Sequence, residues 1–193
     1  EGQRVDKPGT SVDKEAKIEV RGNPIPFVSR GGLKLAKALE VFPVDVAGKI
    51  AIDVGASTGG FTDCLLQHGV VKVYAIDVGY GQLDWGLRQD PRVIVMERTN
   101  IRHVRPDEFD ELVDLVTIDV AFISLTKILK TVSELLVDHG KIVALIKPQF
   151  EAGRQQVGKR GVVRDPKVHV EVITQVLAFA ETLSLGALGL TFS

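Results

Sequence analysis

IAIDVGASTGGFTDCLL, residues 50–66, decides the fold. A short apolar run ends in an acid, three glycines follow (Gly55, Gly59 and Gly60), and apolar residues then return. Inside a regular helix or strand each of those glycines would cost roughly 1 kcal/mol. The segment therefore reads as a strand, a loop with unusual backbone demands, and a helix.

Downstream the same alternation repeats. KIAIDV, KVYAIDV, RVIVM, LVTIDV and KIVALI are short, nearly continuous apolar runs, as expected of strands covered on both faces of a parallel sheet. Between them lie helical patterns. In residues 124–137, Leu125, Ile128, Leu129, Val132, Leu135 and Leu136 recur at helical spacing, with Ser124 placed to cap and Gly140 to stop. A second helix is predicted from Pro166 to Leu183, with Asp165 as N-cap and Val168, Val172, Val176 and Phe179 on one stripe. A third covers Gly32 to Val41. Strand alternating with helix predicts an α/β fold, a doubly wound, mostly parallel Rossmann-like sheet.

Residues 1–27 differ. They are polar, carry Pro8, Pro24 and Pro26, and hold two short alternating runs, QRVDKPGTSV and AKIEVRG, that predict a small hairpin. The chain opens at Glu1 rather than Met and stops at Ser193 after ALGLTFS, which reads as strand-like, so a piece of a longer protein is expected.

Composition narrows the classes. Over 193 residues, 45% hydrophobic and 25% charged content suits one globular domain with a core. Neither a run of about 20 apolar residues nor a secretory leader occurs, so a cytoplasmic protein with no membrane partner is expected. One cysteine, Cys64, and four scattered histidines predict no metal site. A net charge of −1 leaves the partner open, because local patches outweigh the sum.

In a doubly wound sheet the loop after the first strand faces the ligand crevice. GASTGG matches neither GxGxxG nor a P-loop. Asp53, two residues before the first glycine, would repel phosphate but suits a cationic ligand. Asp77, ending YAIDVG, stands where a carboxylate can accept ribose hydroxyls. An adenosine with positive charge and no phosphate describes S-adenosylmethionine. The loop as a bare turn and Asp77 as a helix cap are the alternatives; Asn100 and Ile101, in the loop RTNIRH after the third strand, are further candidates, with a turn residue as the alternative for Asn100.

With these motifs the chain resembles the class I S-adenosylmethionine-dependent methyltransferases. That resemblance implies cofactor contacts from Asp53, Gly55, Ala56, Ser57, Thr58, Gly59, Gly60, Phe61, Asp77, Val78, Asn100, Ile101 and Asp119. Two charged residues end strands on the same side of the sheet: Asp119 in VTIDVAFISL and Lys147 in VALIKPQFE. An ammonium at a core strand end needs a partner, which makes Asp119 the candidate and an ordinary ion pair the alternative. Lys34 precedes the first strand in SRGGLKL.

Lys34, Asp119 and Lys147 resemble the catalytic lysines and aspartate of the FtsJ-like ribose 2′-O-methyltransferases. On that reading Lys147 is the base, Asp119 orients it, and Lys34 is the neighbouring cation. FVSRGGLKLAKALE, IDVGASTGGFTD, YAIDVGYGQL, ERTNIR, IDVAFISL, LIKPQFEAGR and KRGVVRDP together resemble the TlyA family, and EGQRVDKPGTSV with AKIEV resembles the end of an S4-type RNA-binding domain. The resemblance spans essentially the whole chain. It implies 2′-O-methylation of ribosomal RNA, on cytidine, with residues 1–27 as the S4-like remnant and 28–193 as the methyltransferase domain. It also implies a glutamate and a final antiparallel strand beyond LTFS. The family's historical label, hemolysin, finds no support in these residues.

RNA contacts are expected from Arg30 and from the basic, glycine-rich segment 147–167, through Arg154, Lys159, Arg160 and Arg164; a plain solvated loop is the alternative. Other function classes fit less well. Membrane lysis needs an inserting segment, a non-catalytic RNA-binding module has no use for a buried base, and a nicotinamide oxidoreductase would want different glycine spacing.

Overall fold

The computed structural model describes residue 5, residues 10–19 and residues 25–193. Five strands form one parallel sheet: β1 Ile50–Val54, β2 Lys72–Ile76, β3 Val93–Met96, β4 Val113–Ile118 and β5 Leu136–Ala144, in the order β3-β2-β1-β4-β5. The order reverses between β1 and β4. That reversal opens a crevice at the carboxyl ends of the two strands, where this class of sheet binds ligands.

Both sheet faces are covered, which explains the uninterrupted apolar runs. Ala51, Val73 and Leu115 point to a core shared with helices α1 (Gly31–Val41) and α2 (Gly60–Gln67). Their strand neighbours Ile52, Tyr74 and Val116 point the other way, to α4 (Leu129–Glu134) and α6 (Pro166–Thr182). Two short helices, α3 (Trp85–Gln89) and α5 (Pro148–Glu151), follow β2 and β5. Helix α6 follows expectation, with Asp165 accepting the Lys167 N–H and Val168, Val172 and Val176 buried.

The tight seam between α1 and α2 sets the crevice wall. A Cβ on Gly60 would meet Ser29 Oγ at 2.4 Å and Gly32 N at 2.7 Å, so only glycine lets the two helix starts cross so closely. The preceding linker is fastened to the outer side of α2: Val28 N–H donates to Asp63 and Gln67 Nε2 donates to the Pro26 carbonyl, each at 2.8 Å.

Three expectations need correction. The single helix over 124–137 is a 3₁₀ turn, Leu125–Lys127, followed by α4, which ends at Glu134 well before Gly140. Its last two leucines are taken by the sheet instead, because the Leu135 carbonyl accepts the Val113 N–H and Leu136 pairs with Val113 at the start of β5. Register then shifts, and pairing resumes at Leu115 with Lys141. Second, ALGLTFS is not a strand: residues 187–193 pair with no strand, and Gly189 packs against the Phe42 ring while Leu188 and Phe192 stay exposed. Third, the described part of the expected N-terminal hairpin, residue 5 and residues 10–19, contains no strand; the rest of it lies outside the described residues.

Candidate active site

The crevice encloses about 590 Å³. Its floor is the glycine loop after β1. Gly55 turns there at φ +84°, and a Cβ would stand 2.8 Å from the Asp119 carbonyl oxygen, so glycine permits the ends of β1 and β4 to approach. The loop is strapped to β2, since the N–H groups of Gly55 and Ala56 both donate to the Ile76 carbonyl at 2.9 and 3.1 Å. Ser57, in the left-handed region at φ +49°, donates its N–H to Asp77 Oδ2 at 2.8 Å.

Asp77 stands just past the end of β2, and its other oxygen accepts the Gly79 N–H at 2.7 Å. Each carboxylate oxygen has a second lone pair to offer a pair of vicinal hydroxyls. Asn100 lies in the wall beside it, its side-chain Oδ1 accepting the Arg102 N–H and capping the 3₁₀ turn Ile101–His103. Ala56, Thr58, Gly60, Phe61, Val78 and Ile101 complete the expected lining. A cradle of backbone and a free-edged carboxylate fits an adenosine that carries no phosphate, since the lysines lining the crevice, Lys34 and Lys147, are both engaged by Asp119.

Two residues expected at the cofactor do not line the crevice. Gly59, at φ +98°, is the turn into α2 and is packed against Leu83 and Leu87. Asp53 is fully buried behind the loop, where it accepts hydrogen bonds from Thr62 Oγ1 at 2.7 Å and Thr117 Oγ1 at 3.2 Å. Burial pushes its carboxyl up to about 6 against the opposing pull of those two hydroxyls. A carboxylate sealed under the loop braces it to α2 and β4 instead of touching a ligand.

The three charged candidates converge. Asp119, immediately past β4, accepts from Lys34 Nζ through Oδ2 at 2.8 Å, while its Oδ1 lies 2.5 Å from Lys147 Nζ. The second contact is an ion pair lacking hydrogen-bond geometry, and Oδ1 has no other partner. Burial works to raise the Asp119 carboxyl, but the two ammonium groups prevail and hold it below the ordinary aspartate value. Lys34 arrives from α1, Lys147 from the turn between β5 and α5, so three separate elements meet at one carboxylate.

The crevice also holds residues that sequence reasoning missed. Phe122 is 90% exposed at the rim, with a backbone φ of +64°, and its ring lies 5.1 Å from that of Phe150. Gln82 reaches in to accept the Ser57 hydroxyl at 3.3 Å. Neither carries a sequence signal, because a left-handed phenylalanine and a loop glutamine look ordinary in one dimension.

The expected RNA contacts lie elsewhere. Lys159, Arg160 and Arg164 line a separate cleft of about 430 Å³, around a turn made at Gly161, where φ is +70°. Arg154 is exposed at the start of a 3₁₀ turn, and Arg30 is exposed at the start of α1. Among the described residues no cluster of histidine, cysteine and acids could hold a metal ion, and no helix is long and apolar enough to cross a membrane.

Comparison with known proteins agrees with this architecture. Residues 27–193 match the family model of the FtsJ-like methyltransferases. The protein YqxC of Bacillus subtilis is 55% identical over 191 residues, covering 98% of this chain and 68% of that protein. A Mycobacterium tuberculosis protein named 16S/23S rRNA (cytidine-2′-O)-methyltransferase TlyA is 46% identical over 188 residues, covering 97% of this chain and 70% of that one. A solved structure from Streptococcus thermophilus superposes with a TM-score of 0.80 at 54% identity over 83% of this chain, which spans 58% of that protein's length. The glycine-loop crevice, the lysine-flanked aspartate and these matches place the chain in the FtsJ-like methyltransferase family.

Proposed function

We propose that the protein transfers a methyl group from S-adenosylmethionine to a ribose 2′-hydroxyl of ribosomal RNA, on cytidine. The observation that carries this reading is Asp119 gripping Lys34 and Lys147 inside the glycine-loop crevice. The tuberculosis relative, named for cytidine-2′-O transfer on ribosomal RNA, supports the substrate class.

Asp77 would hold the ribose of the cofactor, with Asn100 and Ile101 beside the adenine and the backbone of Gly55–Ser57 beneath the amino-acid end. When bound, S-adenosylmethionine supplies an electrophilic methyl carbon. A ribose hydroxyl is a poor nucleophile at neutral pH, so a proton acceptor matters, and such help is worth roughly 10²–10⁴ in rate. Lys147 Nζ would take the hydroxyl proton as the oxygen–carbon bond forms and the donor's methyl–sulfur bond breaks, the sulfonium leaving as the neutral thioether of S-adenosylhomocysteine. Asp119 is not stranded when Lys147 is neutral, because Lys34 still answers its charge through Oδ2. Lys34 also presents an ammonium to the developing charge on oxygen. Phe122, exposed at the rim, offers its ring face to the base of the nucleotide being modified.

Around this centre, Arg30, Arg154, Lys159, Arg160 and Arg164 would track the phosphate backbone, with binding that weakens steeply as salt rises. The S4-like reading of residues 1–27 and a cytoplasmic site of action belong to the same proposal. The test incubates the protein with tritiated S-adenosylmethionine and purified ribosomal subunits, maps the labelled ribose, and repeats with Lys147→Ala. Label at a 2′-oxygen that falls by roughly 10²-fold or more in the variant, with donor binding retained, is the expected result. Donor binding without label on either subunit would overturn the ribosomal substrate.

A further inference from the structure

Glu151 ends α5, four residues after Lys147, and it neither lines the crevice nor pairs with Lys34 or Lys147, whose ammonium groups go to Asp119. Both of its oxygens are committed across the molecule to the other catalytic loop. Oε2 accepts the Ser124 hydroxyl at 2.6 Å and Oε1 accepts the Leu125 N–H at 2.8 Å. Ser124 in turn accepts the Thr126 N–H at 3.1 Å, so the carboxylate caps the 3₁₀ turn that follows Asp119 and Phe122.

A hydrogen-bonded clasp from one strand-end loop to another is unneeded for the sheet, whose own ladder already joins β4 and β5 up to Ile118 and Ala144. Beyond those residues the chain leaves the ladder, and there Asp119 and Lys147 must meet. Two cross-braces span the gap. One is the Phe122–Phe150 ring contact, the other is Glu151 on Ser124 and Leu125. Phe122, left-handed at φ +64°, sits between Asp119 and the clasp, so the clasp also restrains a backbone conformation that phenylalanine avoids.

We infer that Glu151 is a positioning residue for methyl transfer: it locks the loop bearing Asp119 and Phe122 to the segment bearing Lys147. This rests on the methyl-transfer reading above. Charge-assisted bonds to one hydroxyl and one backbone N–H suit a rigid spacer, and a misplacement of about 1 Å at reacting groups can cost on the order of 10²-fold in rate.

The experiment compares Glu151→Ala, Glu151→Gln and Ser124→Ala with wild type. It measures kcat and KM for ribosomal RNA, the Kd for S-adenosylmethionine, the Tm, and the ¹³C resonance of the Lys147 ε-carbon without RNA. Glu151→Ala is expected to lower kcat about 10- to 100-fold with KM and donor Kd within about twofold of wild type, and to move the Lys147 resonance. Glutamine keeps a carbonyl for the Leu125 N–H and an amide for the Ser124 oxygen, so Glu151→Gln should return kcat to within about fivefold and restore the resonance. Ser124→Ala, which deletes one of the two bonds, should fall between them. An unmoved Lys147 resonance in Glu151→Ala, or equal losses in the alanine and glutamine variants with weaker donor binding and a lower Tm, would overturn the inference. Wild-type protein that binds the donor but labels no RNA would overturn the methyl-transfer reading instead, and the resonance would then decide the clasp alone.

Discussion

Lys34 Nζ and Asp119 Oδ2 meet at 2.8 Å although 85 positions separate them in the chain. Lys147 closes on the other oxygen, so one carboxylate carries two ammonium groups. Replacing it by an amide, Asp119→Asn, leaves two cations facing each other with no counter-charge. Losing one member of a well-buried group costs about 3–5 kcal/mol, and the partial exposure of Lys34 reduces that here to about 1–3 kcal/mol. Methyl transfer should fall by more than the stability loss alone would cause, on the order of 10²-fold or greater, because Lys147 loses its orienting partner. Urea unfolding beside single-turnover kinetics checks both values.

Gly55→Ala tests the floor of the crevice. An alanine at φ +84° costs about 1–2 kcal/mol, and its Cβ would press on the Asp119 carbonyl oxygen at 2.8 Å. Since that obstacle is backbone, β1 and β4 must part locally, adding about 1–3 kcal/mol. The expected result is a lower Tm together with weakened S-adenosylmethionine binding, read by thermal melting and titration calorimetry. Normal binding in a destabilised variant would separate the loop from the cofactor.

Asp53 should give the fold a distinctive pH dependence. Its carboxyl is raised from the ordinary 3.8 to about 6 by burial, so the folded chain holds a proton that the unfolded chain has released. The stabilisation is therefore complete below pH 3.8 and lost as pH rises through about 6. At about 1.4 kcal/mol per pH unit the interval amounts to ~3 kcal/mol. The difference in unfolding free energy between wild type and Asp53→Asn should decline by that order from pH 4 to pH 7 and stay level above it. A difference independent of pH would show that Asp53 remains ionised throughout.

Phe122→Ala separates substrate contact from folding. The ring is 90% exposed, so its removal should change stability by less than about 0.5 kcal/mol. Base stacking on an aromatic ring contributes about 1–3 kcal/mol. Accordingly kcat/KM for RNA should drop roughly 5- to 150-fold with donor affinity unchanged. Phe122→Trp, which keeps a stacking face, should retain most of the activity. Equal activity in wild type and the alanine variant would remove Phe122 from the substrate site.

Much of this protein is legible in one dimension. The alternation of apolar runs with helical periodicity determined an α/β sheet, because strands covered on both faces and helices covered on one leave their period in the residues themselves. Asp165 before Pro166, with valines at Val168, Val172 and Val176, marked α6 for the same local reason. The glycine loop and the acid at Asp77 were readable because a tight turn and a strand-end carboxylate are requirements of short segments. Lys34, Asp119 and Lys147 could be nominated from their positions and from family resemblance.

Tertiary structure decided what depends on distant partners. Leu135 and Leu136 obey the helical period of α4, yet Leu135 ends that helix with its carbonyl on the Val113 N–H and Leu136 starts β5 opposite Val113. Asp53 has the sequence position of a ligand contact, but Thr62 and Thr117 close over it, and which side of a strand end faces the crevice is set by packing between elements. The left-handed turn at Phe122 and the clasp from Glu151 to Ser124 have no local signature at all. Local sequence specifies periodicity and turn chemistry. The distances among Lys34, Asp119 and Lys147 arise only when α1, β4 and β5 are packed into one layer arrangement.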